Sequence, residues 1–457
     1  MKQISAILDQ LDTALSEDFP DAAGLRQFTY PLPEQPEGGM LEWLAAQRCY
    51  PKFYWQQRDE SEEAATCGDA HVFSNLLAAQ TFLQQHPHLP TLRIWGLNAF
   101  EGTAGHQPAS NALFLPRIEI SRRAGHCTLR CHLYSDHSLR DAAQRMRRFL
   151  RSLLPGRRLP PLTSRELAHR HLPTQPEWQQ MVDAALSGIE QKQFDKVVLA
   201  RRTTLTLSQP LNAASFLAAS RAVNHHCYHF MLAFSPDQAF LGSSPERLFL
   251  RQGHQLFTEA LAGTVAGADD HRQARELGQW LLSDAKNQHE NRLVVDDISQ
   301  RLQGSVRSLD VMPARILRLR KVQHLRRSIQ ATLATADDAD CLQRLQPTAA
   351  VAGLPRQAAR EFIAQNEPFD RQWYAGSAGF ISLECSEFTV ALRSAALKGH
   401  QLELFAGAGI VAGSDALQEW QEIENKAAGL RTLLEGQSRP KDVAYYENHN
   451  AHAVRVG

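Results

Sequence analysis

The apolar positions of this chain change period several times, and each change marks an element. Ile4, Leu8, Leu11 and Leu15 recur every three to four residues and predict an amphipathic helix over 4–16. Short runs then read as strands at Lys52–Trp55, Leu92–Leu97, Leu113–Ile120 and Thr128–Tyr134. A helix over 138–154 follows. From about 175 the pattern gives helix (176–192), strand (195–207), helix (212–223) and strand (227–234). A turn at Gly242-Ser-Ser-Pro-Glu246 leads to strands near 247–251 and 255–260. A long helical stretch covers about 271–303, and further helices follow. Among these is Arg315–Arg327, whose Ile316, Leu317, Leu319, Val322 and Leu325 read as helix core. Strands return at 378–383, 387–395 and 401–405. A helix over about 415–435 carries Leu417, Trp420, Ile423, Ala427, Leu430 and Leu434 on one stripe. Strands in runs, with helices segregated between them, predict an α+β fold built on antiparallel sheets.

A Pro- and Arg-rich connector, Leu154–Pro161, divides the pattern. It suggests an N-terminal α/β portion over 1–160 packed on a core portion over 161–436. The tail over 437–457 is polar, has no apolar period and is expected to be mobile. The chain has 457 residues, with 49 Lys plus Arg against 49 Asp plus Glu. That balance gives no overall field for nucleic acid or anionic lipid, so neither is expected as a partner. No apolar stretch is long enough to cross a bilayer, and the N-terminus lacks a signal-peptide core, so a cytoplasmic protein is expected. Seven scattered cysteines, an odd number, are no disulfide framework. Cys127, Cys131 and His132 faintly suggest a metal cluster, but they alternate as a strand does, and packed or exposed thiols are the better reading.

Phe194-Asp195-Lys196-Val-Val-Leu-Ala-Arg201 places an amine inside what should be a half-buried strand, with Val197, Leu199, Leu205 and Leu207 facing inward. A buried lysine loses part of its preference for the charged form and can act as a general base. An edge-strand lysine is the plainer alternative. In the last helix Glu419, Glu422 and Lys426 lie over one another beside the apolar stripe, either as a solvated face or as a site. The segment before it, Phe405-Ala-Gly407-Ala-Gly409-Ile-Val-Ala-Gly413-Ser414, reads as a glycine-rich turn into a helix N-terminus, where backbone N–H groups can hold an anion. Glu290 sits at the edge of an apolar stripe, paired with Lys286 or bound to a cation. Carboxylates from two helices would suit Mg²⁺, which takes oxygen ligands. Glu246 follows Pro245 in its turn, where Arg247 could pair with it. Arg393, in the strand Phe388–Ser394, is a snorkelling residue or a fork for a carboxylate. Tyr374 and His324 are core residues or site groups.

Taken in order, these segments resemble the chorismate-utilising enzymes, and within them the members that make isochorismate for menaquinone. The motifs are Asp195-Lys-Val-Val-Leu-Ala-Arg201, Gly242-Ser-Ser-Pro-Glu-Arg247, Ala262-Gly-Thr264, Lys286-Asn-Gln-His-Glu-Asn291, Val322-Gln-His-Leu325, Leu345-Gln-Pro-Thr-Ala-Ala-Val351, Trp373-Tyr-Ala-Gly-Ser-Ala-Gly379, Ala391-Leu-Arg-Ser394, Gly407-Ala-Gly-Ile-Val411 and Glu419-Trp-Gln-Glu422. The N-terminal portion joins them through Phe53-Tyr-Trp-Gln-Gln-Arg58 and Leu92-Arg-Ile-Trp-Gly-Leu-Asn-Ala-Phe100. The resemblance implies large antiparallel sheets with helices outside and a site between them.

It also implies roles. Lys196 would activate water for attack at C2 of chorismate, and Glu246 would protonate the departing C4 hydroxyl. Glu290 and Glu422 would hold Mg²⁺, with Glu419 acting through water. Arg393, Tyr374, Lys426 and the Gly407–Gly409 backbone would hold a substrate carboxylate, and Thr264 and His324 would line the pocket. Aminodeoxychorismate synthases carry a lysine nucleophile where this chain has Ala262, which argues against that chemistry. The siderophore-branch isochorismate synthases and the salicylate synthases, which add loss of pyruvate, are the alternatives. A chorismate-binding protein without catalysis is the alternative of another class, and a nucleic-acid patch at Arg315–Arg327 is a third reading. A monomer or weak dimer is expected.

Overall fold

Val197, Leu199, Leu205 and Leu207 bury their side chains on a strand that spans Lys196–Leu207. The structure, a computed structural model, describes residues 2–32, 39–100, 112–268 and 270–434. The first six residues of this strand are all buried, so it is enclosed on both faces where it begins, not half-buried as expected. Nor is it an edge there. Ile410 pairs with Val197 on one side, and Leu354 with Lys196 on the other.

From this strand an antiparallel sheet runs through Gln401–Ile410, Ser394–Lys398, Gln238–Ser244, Tyr228–Ser235, Lys52–Gln56 and Glu62–Phe73 to Ala112–Arg123. There it forks. Ile118–Arg123 pairs with His126–Ser135, which in turn carries Gly24–Leu32. Ala112–Phe114 pairs with Ile94–Asn98 and starts a second arm: Ser377–Ile381, Cys385–Val390, Arg247–Gln252, Gln255–Ala266 and Val322–Leu333.

The two arms share one apolar core. Phe53 of the first arm meets Trp95 of the second at 5.7 Å between ring centroids, and Trp55 meets Phe380 at 6.5 Å. A second core lies under the helices Lys2–Ala14, Met40–Ala46, Leu139–Arg151 and Ala213–Val223. Both cores draw residues from either side of position 160. No helix among the described residues is long and apolar enough to cross a membrane.

The chain passes between the arms at two short links. Pro245–Glu246 joins Gln238–Ser244 to Arg247–Gln252, and Ala391–Arg393 joins Cys385–Val390 to Ser394–Lys398. Glu246 and Arg393 therefore stand at the seam. Helix Ala285–Leu302 packs on Gln255–Ala266, and helix Ala416–Arg431 on Gln401–Ile410, which brings both over the same seam.

Several elements differ from the sequence pattern. The stretch 271–303 is two helices, His271–Ser283 and Ala285–Leu302, because Asp284 ends the first and caps the second through Asn287 N at 2.9 Å. Arg315–Arg327 is not helical. Arg315–Arg318 and Val322–Leu333 are strands whose pairing partners override the local pattern. Gly407 and Gly409 lie inside the strand Gln401–Ile410, and the turn comes after it. Arg393 is in no strand but in the link, with φ of +47°. Strand Glu62–Phe73 carries too many charges and alanines to show a strand pattern. The tail over 437–457 lies outside the described residues.

Candidate active site

A cleft opens at the seam between the arms, with about 680 Å³ of empty space when its solvent-open mouth is included. Its walls include Glu246, Thr264, Glu290, His324, Tyr374, Arg393, Gly407, Gly409, Glu422 and Lys426. The strands Gln401–Ile410 and Gln255–Ala266, the two links and the helices Ala285–Leu302 and Ala416–Arg431 each supply part of this set. Lys196 and Glu419 stand just behind it, each in contact with a side chain nearer the seam or a neighbouring helix.

Lys196 is fully buried and donates from Nζ to Glu290 Oε1 at 2.9 Å. Gly409 makes room for this pair: a Cβ there would lie 2.7 Å from Glu290 Oε1 and 3.0 Å from Lys196 Cε. Gly407 does the same for Tyr374, whose hydroxyl would be 2.9 Å from an added Cβ. The two glycines thus supply space in a strand, not the anion-binding turn expected. Beyond Phe405 the strand's other side pairs with no strand among the described residues. On that side Lys426 Nζ donates to Gly407 O at 2.9 Å and reaches Glu422 Oε1 at 2.7 Å.

Glu246 does not pair with Arg247, which bridges to Glu387 at 3.1 Å instead. Its Oε1 is buried without a hydrogen-bond partner. Burial and the nearby Glu259 charge raise its pKa to about 8, against the pull of Lys196, Lys426 and Arg58. Glu246 is therefore protonated at neutral pH. Glu290 goes the other way: burial disfavours its charge, but Lys196, Lys426 and Lys286 outweigh that and hold it below the usual carboxyl value. Lys286 does not pair with Glu290 as the spacing suggested; it lies 3.6 Å from Glu419.

Burial and the charge of Glu422 push Glu419 up to about 7, and Glu290 adds to this. Three carboxylates thus crowd one end of the cleft, each beside a lysine. Among the described residues no three His, Cys, Asp or Glu side chains enclose a metal by themselves. Oxygen donors this few fit a hard divalent ion that keeps waters or takes substrate oxygens as its remaining ligands. Cys127, Cys131 and His132 form no such site: both thiols are buried, and His132 Nδ1 meets Pro116 O at 2.7 Å.

At the other end, Arg393 Nη2 reaches His324 Nε2 at 2.9 Å, and His324 Nδ1 lies 3.0 Å from Thr264 Oγ1. Burial, reinforced by Arg393 and Lys426, holds His324 well below its ordinary value, so the ring is neutral. Arginine only donates, so Nε2 accepts and Nδ1 carries the hydrogen, with the Gly263 carbonyl and Thr264 Oγ1 as its acceptors. The Thr264 hydroxyl is left free to donate into the cleft. Tyr374 stacks on Phe405 at 5.4 Å.

Residues 21–435 match the family model of chorismate binding enzymes. The chain belongs to that family. The isochorismate synthase MenF of Escherichia coli is 52% identical to this chorismate-binding enzyme over 435 residues, which is 95% of this chain and 100% of that one. Isochorismate synthase MenF of Haemophilus influenzae is 42% identical over 86% of this chain and 89% of that one. The solved structure of MenF, the menaquinone-specific isochorismate synthase from Escherichia coli, superposes with a TM-score of 0.90, covering 94% of this chain and all of that one.

Three residues near the cleft of this chorismate-binding enzyme had no role in the sequence reading. Asn287 Oδ1 accepts from Thr264 N at 3.0 Å and holds that residue beside His324. Buried Glu259 and half-buried Arg58 form a pair behind Glu246. Arg58 ends the segment Phe53-Tyr-Trp-Gln-Gln-Arg58, and nothing local distinguishes Glu259 from a surface strand carboxylate.

Proposed function

We propose that this protein converts chorismate to isochorismate for menaquinone biosynthesis, by adding water at C2 and releasing the C4 hydroxyl. The observation that carries the reading is a buried, unpartnered carboxyl that keeps its proton at neutral pH, in one cleft with a buried amine close behind its wall. Hydroxide is a poor leaving group and water a poor nucleophile. The reaction needs an acid that is protonated and a base that accepts a proton under the same conditions. Glu246 is suited to the acid. Lys196 is our candidate base, supported by its complete burial close behind the cleft wall. Its contact with Glu290 favours the charged amine, so the role requires Glu290 to be engaged elsewhere, as by a bound cation.

Arg393, Lys426, Tyr374 and the open edge at Gly407–Gly409 give the cleft donors for carboxylate oxygens. The neutral His324–Thr264 pair would donate one hydrogen bond to the substrate. Glu290 and Glu422 would hold Mg²⁺, with Glu419 acting through water; the ion would offset the charge of a dianionic substrate and orient it.

Purified protein with chorismate and Mg²⁺ is expected to yield isochorismate without pyruvate. Chelation should abolish turnover, and added Mg²⁺ should restore it. Pyruvate with salicylate as the main products would assign the enzyme to the lyase-competent synthases. Calorimetric binding of chorismate without any product would remove the catalytic reading.

A further inference from the structure

Glu246 sits on a two-residue link with little regular structure of its own, yet a general acid needs a fixed position. The contacts behind it come from far along the chain. Arg58 forks onto Glu259 through two hydrogen bonds, 2.6 and 2.9 Å, and also donates to Pro245 O at 3.0 Å. Glu259 Oε1 accepts from Arg247 N at 2.9 Å. The residues on both sides of Glu246 are thus held by one ion pair, whose carboxylate is 2% exposed.

We propose that the Arg58–Glu259 pair is the positioning unit of the acid: it clamps the Pro245–Arg247 link from behind and sets the charge that Glu246 faces. This rests on the reading of Glu246 as general acid. Arg58 lies in the turn that follows strand Lys52–Gln56, so the N-terminal portion reaches the acid through it.

The charged groups that act on Glu246 are Glu259 from strand Gln255–Ala266, Lys196 from strand Lys196–Leu207, Lys426 from helix Ala416–Arg431 and Arg58. Of these only Glu259 favours the protonated form. Arg58 outweighs the burial of Glu259 and keeps it ionised. The pair therefore leaves a carboxylate charge behind Glu246 while fixing the backbone that bears it.

The test is the pH dependence of kcat and kcat/KM for the full chain with chorismate and Mg²⁺. Removing the Glu259 charge removes repulsion from ionised Glu246, so the pKa of Glu246 falls. Glu259→Gln should move the alkaline limb to lower pH by about half a unit or more. Arg58→Lys keeps the charge and loses the fork. It should lower kcat about tenfold, with KM within about twofold and the limb in place. If Glu259→Gln does not fold, the double variant Arg58→Gln/Glu259→Gln leaves no charge unpaired and should shift the limb in the same direction, by less.

An unmoved limb in the Glu259 variant, or full kcat in Arg58→Lys, overturns the proposal. Glu246→Gln separates the two layers. If it binds chorismate without turnover while the limb of Glu259→Gln stays put, only the clamp fails. If it turns over normally, the acid assignment fails and the clamp with it.

Discussion

Gly409 shows how narrow the tolerances are at the scale of one residue. A methyl group there would press on Glu290 Oε1 and Lys196 Cε. Gly409→Ala should fold and lose about a hundredfold or more in turnover, since small displacements of reacting groups cost that much. Lys196→Ala removes the candidate base, and a loss of about 10²- to 10⁴-fold in kcat is expected. A product-release assay reads both.

Glu246 links activity to stability. Its folded pKa of about 8 lies above the 4.5 of a free carboxyl. Folding therefore binds a proton between those values, and the protein loses stability as pH rises from about 4.5 toward 8. Glu246→Gln has no proton to lose. Its thermal midpoint should exceed that of the parent protein by more at pH 8 than at pH 5. Equal differences at the two pH values would show that Glu246 is ionised when folded. These positions were readable in the sequence through the motifs that resemble the chorismate-utilising enzymes, since each residue alone also fitted a structural role. Their partners were not: Lys286, Glu290 and Glu419 re-paired across elements against the i,i+4 spacing.

At the scale of elements, Asp284 matters most for the site. It ends one helix and caps the next, and its Oδ2 also takes a hydrogen bond from Asn287 Nδ2 at 2.7 Å. Asn287 in turn holds Thr264 N. Asp284→Ala should lower stability by about 1 kcal/mol, the usual cost of a lost cap. It should also raise KM for chorismate, because Thr264 loses its anchor. Thermal unfolding and steady-state kinetics read these separately.

Periodicity found the helices of the catalytic portion and most of its long strands. It misread 315–327 because interleaved arginines and leucines fit a helix period as well as two paired strands, of which Arg315–Arg318 keeps its arginines exposed while residues 322–325 are buried. Pairing of Thr264 with His324 and of Leu317 with His324 decided that stretch, and no local window contains those partners.

At the scale of the molecule, the two portions divided at about 160 are interwoven. Strand Lys52–Gln56 lies between Tyr228–Ser235 and Glu62–Phe73, and Phe53, Trp55 and Trp95 enter the core shared by the two arms. A fragment starting at residue 161 would expose the edge of Tyr228–Ser235 and lose those aromatics. We expect it to be insoluble when expressed alone. A soluble, cooperatively melting fragment would show that the catalytic portion is self-sufficient.

Read alone, the sequence determined the fold class, the reaction and nearly all the side chains that meet at the cleft. Those follow from many short motifs in the order that the chorismate-utilising enzymes share; taken singly, each motif also allowed a purely structural reading. Tertiary structure decided which of them touch. Glu246, Lys196, Glu290 and Glu422 lie on segments far apart in the chain, and antiparallel pairing over those distances sets their contacts. It also decided that Gly407 and Gly409 provide room in a strand instead of a turn, and that a pair from residues 58 and 259 stands behind Glu246. Burial is a property of the whole packing, so the proton that Glu246 keeps has no local signature.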